Sequence, residues 1–282
     1  MTTSSVLPPL PAAVSVTEVA VADDVNLRVL RAGSGTPIVM LPGWTCSADF
    51  FVHQLTGLSD RFEVIAVDPR GQGGSSRPLT GNTFAQRGHD LAALVDALEL
   101  DRFVLLGWSF GALDALSYIR SHGTERIERL VIVDETPKVP ADPADASEWG
   151  EAPLTHDGIV GLQRAVLDDR LGFWSEYAGY MIGEEDAASP DIARIVELGM
   201  QTPEYVAVAT VMDGATSDYS SEATAASAAV PTLFLAREDW STDARAWVSA
   251  KMPDAEFDTI PLHMGFATHP DAFNSRVARF LT

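Results

Sequence analysis

The chain has 282 residues, of which 46% are hydrophobic, 8% aromatic and 21% charged. This composition is that of a globular protein with enough apolar material for a sizeable core, and it excludes a disordered, collagenous or repetitive chain. Nineteen Lys and Arg residues against 40 Asp and Glu residues give a formal net charge of −21, so we expect neither a nucleic acid nor a membrane surface as partner.

Short apolar runs alternate with helical periods along most of the chain. Residues 1–14 are rich in Pro, Ala and Ser, and are predicted to be a flexible lead-in. Strands are predicted at 16–22, 25–30, 37–41, 63–67, 103–106, 129–133, 232–236 and 256–260. Helices are predicted to begin at Thr83 and Phe110, and to follow each of the last two strands. This alternation indicates an α/β protein with a mostly parallel sheet and crossover helices.

The alternation of strands and helices stops between residues 137 and 228. Helical segments are predicted there at 158–169 and 191–200, and no buried strand is evident. We interpret 137–228 as a helical, lid-like insertion between two parts of one core, 15–136 and 229–282. Its aromatic residues are spaced so that a helix would gather most of them on one face, which would either line a pocket or anchor the insertion. They are Phe173, Trp174, Tyr177, Tyr180 and Met181.

Signals for export and membrane insertion are missing from the sequence. The single cysteine, Cys46, cannot form an internal disulfide bond. The first residues lack the basic and long apolar regions of a signal peptide, and no run of 18 apolar residues occurs. We therefore expect a cytoplasmic location.

The strongest chemical signal is the G-x-S-x-G pentapeptide Gly107-Trp108-Ser109-Phe110-Gly111, which follows a predicted strand and precedes a predicted helix. In that setting the glycines permit a sharp turn in which Cβ atoms would collide. The turn leaves Ser109 exposed at a helix N-terminus, whose dipole favours developing negative charge. The pattern predicts Ser109 as a nucleophile.

Two further loops accompany this turn. A buried strand leads into Pro42-Gly43-Trp44, and another glycine turn occupies 68–75. Together with the G-x-S-x-G turn, these segments resemble the α/β-hydrolase family over residues 17–134 and 229–281. The resemblance implies an eight-stranded, mostly parallel sheet with helices on both faces and a helical lid inserted after strand six. It also implies an oxyanion hole formed by the backbone amides of Trp44 and Phe110.

This sequence departs from the commonest family pattern at two positions. Pro42 stands where His-Gly is frequent, and Gln72 stands where Arg-Gly-His-Gly is frequent. Neither position carries the predicted chemistry.

A serine nucleophile needs a general base. Of six histidines, His263 lies just beyond the last predicted strand and is the predicted base, with His269 as a weaker candidate. The histidines are too dispersed for a metal set and lack a metal-binding signature, so we expect no metal and no other cofactor.

The third member of the triad is ambiguous. The family order of Ser, acid and His allows an acid after strand six or after strand seven. At strand seven the expected position falls on Trp240, and Asp239 lies one residue early. At strand six Asp134 follows the strand without any adjustment, and Glu135 is next to it. We favour Asp134, with Asp239 and then Glu135 as alternatives.

The predicted function is a serine hydrolase that cleaves a small, hydrophobic or aromatic ester, thioester or lactone through an acyl-enzyme. Trp108, Trp174 and Tyr177 are the predicted substrate-binding residues, and the expected partner is a small hydrophobic molecule. The acid after strand six also resembles cofactor-free ring-cleaving dioxygenases, although those place His where Trp108 stands. A third possibility is a hydrolase-like ligand-binding protein. No sequence feature defines an oligomeric state.

Overall fold

One eight-stranded sheet forms the centre of the protein in a computed structural model, which describes residues 5–142, 148–150, 152–153 and 156–282. The strands are β1 (Ser15–Ala22), β2 (Val25–Gly33), β3 (Thr36–Leu41), β4 (Phe62–Val67), β5 (Phe103–Trp108), β6 (Ile127–Val133), β7 (Thr232–Arg237) and β8 (Glu256–Ile260). Their order across the sheet is β1-β2-β4-β3-β5-β6-β7-β8. β2 runs antiparallel to both of its neighbours and all other pairs are parallel, which confirms the predicted fold class.

The central strands are buried on both faces. Val39, Leu105 and Ile132, which lie on β3, β5 and β6, have no exposed surface. Their sequences are continuous apolar runs rather than alternating ones, because helices cover the sheet on each side. The carboxyl ends of β5, β6, β7 and β8 therefore meet at one edge, where parallel sheets commonly bind ligands.

The helices are α1 (Val52–Gly57), α2 (Phe84–Ala97), α3 (Phe110–His122), α4 (His156–Asp168), α5 (Arg170–Ile182), α6 (Pro190–Gly199), α7 (Glu204–Gly214), α8 (Ser220–Ala229), α9 (Ser241–Lys251), α10 (Gly265–Thr268) and α11 (Pro270–Leu281). The predicted start of α2 agrees with its cap, since the Thr83 side chain accepts a hydrogen bond from the Gln86 amide. Within the described ranges, no helix combines the length and the apolar composition needed to cross a membrane.

Helices α4 to α8 all lie between β6 and β7, in the segment 137–228 that we call the insertion, and α8 ends one residue beyond it. The sequence pattern indicated α4 and α6 and placed the aromatic stripe on what is α5. It missed α7 and α8, because α7 is apolar around much of its circumference and α8 is rich in Ala and Ser, so neither shows a clear stripe. It also missed a two-residue parallel ladder between Pro140–Ala141 and Ala152–Pro153.

The lead-in, for which we expected flexibility, is anchored over its described part. Leu7 is buried. The amide of Val6 donates to the Asp191 carboxylate of α6 at 2.9 Å, and the His53 ring lies 3.0 Å from the Val6 carbonyl oxygen. Polar contacts to two different elements and one buried side chain hold this segment without regular secondary structure.

Candidate active site

Ser109 occupies a sharp turn between β5 and α3. Its backbone has φ 53° and ψ −135°, in the positive-φ region that L residues rarely adopt. A Cβ on Gly107 would lie 2.4 Å from the Gly111 carbonyl oxygen. A Cβ on Gly111 would lie 2.1 Å from the Leu41 carbonyl oxygen. Both glycines are therefore required for the turn to pack against its neighbours.

His263 lies between β8 and α10, and its ring contacts Asp134. The distance from His263 Nδ1 to Asp134 Oδ2 is 2.6 Å, and both side chains are buried. The His263 carbonyl accepts a hydrogen bond of 2.9 Å from the indole of Trp108, the residue before Ser109. The loop that carries His263 is thus tied directly to the turn that carries Ser109.

Asp134 follows β6 and is held by three donors besides His263. Its Oδ1 accepts hydrogen bonds from the Arg237 amide and the Trp240 indole, each at 2.7 Å. The guanidinium of Arg237 lies 3.1 Å from Oδ2 and also stacks on Trp240, 3.6 Å from the ring centroid. These contacts offset the burial of the carboxylate and fix which oxygen faces the imidazole.

The two alternative acids lie elsewhere. The Asp239 side chain is 61% exposed and pairs with the Arg237 Nε at 2.9 Å. The Glu135 carboxylate accepts a hydrogen bond from the Thr136 amide. Trp240, the residue at the position usual for the family's acid, instead donates its indole N–H to Asp134.

The loop that carries Trp44 passes directly against Ser109. A Cβ on Gly43 would lie 2.9 Å from Ser109 Cβ and 3.2 Å from Ser109 Oγ. Phe110 is the first residue of α3, where backbone amides have no partner within the helix. The amides of Trp44 and Phe110 are therefore on segments adjacent to Ser109, as the resemblance implies.

The insertion reaches this site through α5 and α7. Trp174 is fully buried and stacks on Trp44 with ring centroids 5.7 Å apart, and the Trp44 indole donates to the Ala207 carbonyl oxygen at 2.9 Å. The Tyr177 hydroxyl lies 3.3 Å from His263 Nε2. Trp174 thus packs the insertion against the Trp44 loop, and Tyr177 contacts the imidazole, while a pocket lined by this aromatic stripe stays a prediction.

Trp108, the other predicted substrate-binding residue, is fully buried. Its ring packs against Phe50, Phe51 and Phe266 with centroid distances of 5.8, 6.5 and 4.7 Å. In this position it supports the loop of His263, and a substrate contact for it stays a prediction.

Cys46 is the one thiol in the chain and follows the Trp44 loop. Burial raises the pKa of this thiol well above its usual value, because the thiolate would lose its hydration. The neutral thiol is a poor nucleophile, so Ser109 stays the predicted nucleophile next to the loop.

A buried polar network lies beneath the same loop. Gln72 has no exposed surface, and its Nε2 donates to the carbonyl oxygens of Gly43 (3.1 Å) and Cys46 (2.6 Å). Its Oε1 accepts from Arg87 at 2.8 Å, and Arg87 also pairs with Asp114 at 3.5 Å. Burial raises the pKa of Asp114 to about 7, and the neighbouring guanidinium offsets only part of that rise.

Sequence reasoning did not find Arg237, Trp240 or Gln72 as parts of the site. Trp240 stands where the family usually has its acid, and this misfit was a usable signal for Arg237 and Trp240. A hydrogen-bond donor at that position complements an acid at the end of the neighbouring strand. The departure of Gln72 from the commonest family pattern was a signal for the third. None of them belongs to a motif that specifies its partner.

A family model for the alpha/beta hydrolase fold matches residues 36–159. Together with the sheet order, this match shows that the chain has the α/β-hydrolase fold.

Individual relatives are more distant. The chain is 25% identical to the AB hydrolase superfamily protein YisY of Bacillus subtilis over 92% of this chain and 96% of that protein. It is 32% identical to a putative non-heme chloroperoxidase of Synechocystis sp., but that alignment covers 51% of each protein. The chain thus spans about half the length of this and several other curated relatives it matches. An esterase from Exiguobacterium antarcticum has a similar structure, with a TM-score of 0.84, 21% identity, and coverage of 94% of this chain and 99% of that one. At that identity the likeness concerns the fold alone.

Proposed function

We propose that this protein is a serine hydrolase that cleaves a small, hydrophobic ester, thioester or lactone through an acyl-enzyme. The observation that carries the proposal is the 2.6 Å contact between His263 Nδ1 and Asp134, on a loop tied to the strained turn of Ser109. A carboxylate at Nδ1 keeps the proton there, which leaves the Nε2 lone pair free to accept a proton from a hydroxyl.

In the proposed reaction, Ser109 Oγ attacks the acyl carbon while His263 Nε2 accepts the hydroxyl proton. Asp134 stabilises the resulting imidazolium, and the amides of Trp44 and Phe110 bind the oxyanion. The leaving alcohol then takes the proton from Nε2. In the second half, Nε2 removes a proton from water, which attacks the acyl carbon and releases the acid while Ser109 regains its proton.

The insertion acts as the lid in this proposal and gives the site its preference. Its aromatic side chains adjoin Trp44 and His263, so a bound acyl or ring group would be enclosed by apolar surface with few polar anchors. A flat or hydrophobic group is therefore the expected substrate feature. In a series of p-nitrophenyl esters and aromatic lactones, larger and aromatic substrates should react with higher kcat/KM than the acetate. A clear preference for acetate over all of them would contradict this part.

The nucleophile is tested by labelling with a fluorophosphonate. We expect rapid stoichiometric labelling of wild-type protein, with the adduct on Ser109 in the tryptic digest, and none in Ser109→Ala. His263→Ala should retain the fold and lose the rapid phase. Slow or substoichiometric labelling of wild-type protein would favour a ligand-binding protein over an enzyme.

A second activity is favoured by the relatives whose names include chloroperoxidase or haloperoxidase. Hydrogen peroxide could replace water in the second half-reaction, attack the acyl carbon and leave as a peroxy acid, which would oxidise bromide to hypobromous acid. Bromide oxidation that requires peroxide, a carboxylic acid or ester, and Ser109 would support this activity. Peroxide-dependent bromide oxidation that persists in Ser109→Ala would contradict this route.

A further inference from the structure

We infer that Gln72 is a positioning residue that orients the Trp44 amide towards the oxyanion, and that the buried Arg87 and Asp114 side chains hold Gln72 in place. This inference rests on the proposed hydrolase function for its kinetic consequence, but its structural content does not depend on it.

The argument begins with one peptide plane. The carbonyl of Gly43 and the N–H of Trp44 belong to the same peptide group, which is trans, since the described chain contains no cis peptide bond. In a trans peptide these two groups point in opposite directions. Gln72 and the Cys46 amide both donate to the Gly43 oxygen, each at 3.1 Å. The Trp44 N–H consequently points away from Gln72.

A rotation of this plane would reverse both groups. It would break the two hydrogen bonds to the Gly43 oxygen and turn a carbonyl towards the site where the oxyanion has to bind. Glycine at position 43 offers little resistance to such a rotation, because it lacks a Cβ. Thr45, two residues after Gly43, has φ 54°, so the loop already contains one unfavourable backbone conformation. The hydrogen bonds to the Gly43 oxygen, one from the Cys46 amide within the loop and one from Gln72 outside it, are therefore what keeps the loop in its productive orientation.

Gln72 suits this role because of its bonding capacity. A primary amide has two N–H donors, and here they go to two carbonyl oxygens of the same loop, those of Gly43 and Cys46. Its oxygen faces Arg87, which can only donate, so the amide cannot be turned around without placing N–H against N–H. The guanidinium thereby sets the direction of the amide, and the amide sets the direction of the loop.

The hydrogen bonds that join Gln72, Arg87 and Asp114 are shielded from water. Gln72, Arg87 and Asp114 are 0%, 3% and 2% exposed. Water cannot replace a lost hydrogen bond at such positions without rearrangement. The partners of Arg87 are the Gln72 oxygen, the Arg70 carbonyl oxygen and the Asp114 carboxylate.

Gln54 provides a matched control. It is also 0% exposed, and its Nε2 also donates two hydrogen bonds, to the Phe266 carbonyl oxygen at 2.8 Å and to Asn274 at 3.0 Å. Gln54→Met and Gln72→Met therefore remove the same two donated hydrogen bonds from equally buried sites, and only the second change releases the Trp44 loop. Both variants should lose thermal stability, and Gln72→Met should lose more, because only the Gln72 oxygen accepts a hydrogen bond from a buried guanidinium.

The kinetic test compares kcat, KM and inhibitor affinity on a p-nitrophenyl ester. Because an oxyanion donor acts in the transition state, Gln72→Met should lower kcat about 10- to 100-fold and leave KM within about threefold. Affinity for an arylboronic acid, whose serine adduct is tetrahedral, should fall in parallel, while affinity for the product carboxylate should not. Gln54→Met should change neither kcat nor boronate affinity by more than about twofold.

Two further variants protect the test against a folding failure. Gln72→Glu keeps the shape and the contact to Arg87 but cannot donate to the loop when ionised, so it should show the same loss of kcat. Gln72→His retains one ring donor and should recover most of the activity. Equal kcat in Gln72→Met and Gln54→Met, or an effect confined to KM, would overturn the inference.

A readout that needs no activity separates this inference from the proposed function. If wild-type protein neither labels with the fluorophosphonate nor hydrolyses esters, the proposed function fails. Amide hydrogen exchange at Trp44 and Cys46 still tests the orientation: it should be faster in Gln72→Met than in Gln54→Met. Equal exchange rates in the two variants would refute the role of Gln72, whatever the enzyme assay shows.

Discussion

The substitution Asp134→Asn changes one atom of the site and should abolish most of the activity. In the native site Asp134 Oδ1 accepts two hydrogen bonds, from the Arg237 amide and the Trp240 indole, and Oδ2 faces His263 Nδ1. An asparagine has only one acceptor oxygen. The asparagine oxygen is best placed where it accepts from both the Arg237 amide and the Trp240 indole. The NH₂ group of the asparagine then faces His263 Nδ1.

The magnitude follows from the tautomer of the imidazole. To accept from the new NH₂ group, His263 must carry its proton on Nε2, and it then cannot take the proton of Ser109. This effect in a serine hydrolase triad lowers kcat about 10⁴-fold, or about 5 kcal/mol of transition-state stabilisation. The fold should survive with some loss of stability, because asparagine preserves the shape of the buried side chain but loses the contact between Oδ2 and the Arg237 guanidinium.

The assay is the rate of acylation from the burst of p-nitrophenol, with circular dichroism to verify the fold. Asp239→Asn is the matched control, and it should stay within about twofold of wild type, because exposed ion pairs contribute little. If Asp239→Asn loses more activity than Asp134→Asn, or if folded Asp134→Asn retains more than about a tenth of the wild-type rate, the acid assignment is refuted.

Three other predictions concern neighbouring parts of the molecule. Burial raises the pKa of Asp114 from 3.8 to about 7, so its contribution to stability is fully present below pH 3.8 and is lost as the pH rises through 7. As the pH falls from 8 to 5, urea unfolding should show wild type gaining about 3 kcal/mol relative to Asp114→Asn. A pH-independent difference would contradict the shifted pKa. Gly43→Ala places a methyl group 2.9 Å from Ser109 Cβ and should lower the rate of phosphonate labelling at least about tenfold. Gly161 has open space around it, so Gly161→Ala should leave the labelling rate unchanged. Tyr177→Phe removes the hydroxyl next to the imidazole, so kcat/KM should change by about 2- to 20-fold, to a different extent for esters with different leaving groups. The melting temperature should change by no more than about 2 °C. An equal effect on kcat/KM for every ester in the series would show that this hydroxyl does not approach the substrate.

The sharp turn predicted at Ser109 is observed because the information that specifies it is local. A five-residue sequence with glycines at its first and last positions specifies a backbone that few other sequences can adopt. The observed approach of Gly107 and Gly111 to carbonyl oxygens shows why no larger residue fits. The position of His263 after the last strand is likewise a matter of chain order.

The acid is a different case. Two carboxylates, Asp134 and Asp239, follow adjacent strands, and the spacing of local residues does not say which of them faces His263. The structure places Asp134 there and turns Asp239 to solvent. The decision depends on the register between β6 and β7, which aligns Val133 with Leu235 and brings the Arg237 amide onto Asp134.

The sequence by itself determined the alternation of strands and helices, the sharp turn at Ser109 and the likeness to a hydrolase fold. Each of these depends on periodicity or on the conformational limits of neighbouring residues. Tertiary structure alone decided which carboxylate contacts the imidazole, that Gln72 holds the Trp44 loop, and that Tyr177 reaches His263 from the insertion. Those contacts join residues 129, 29 and 86 positions apart, so they follow from how whole elements pack and not from any local pattern.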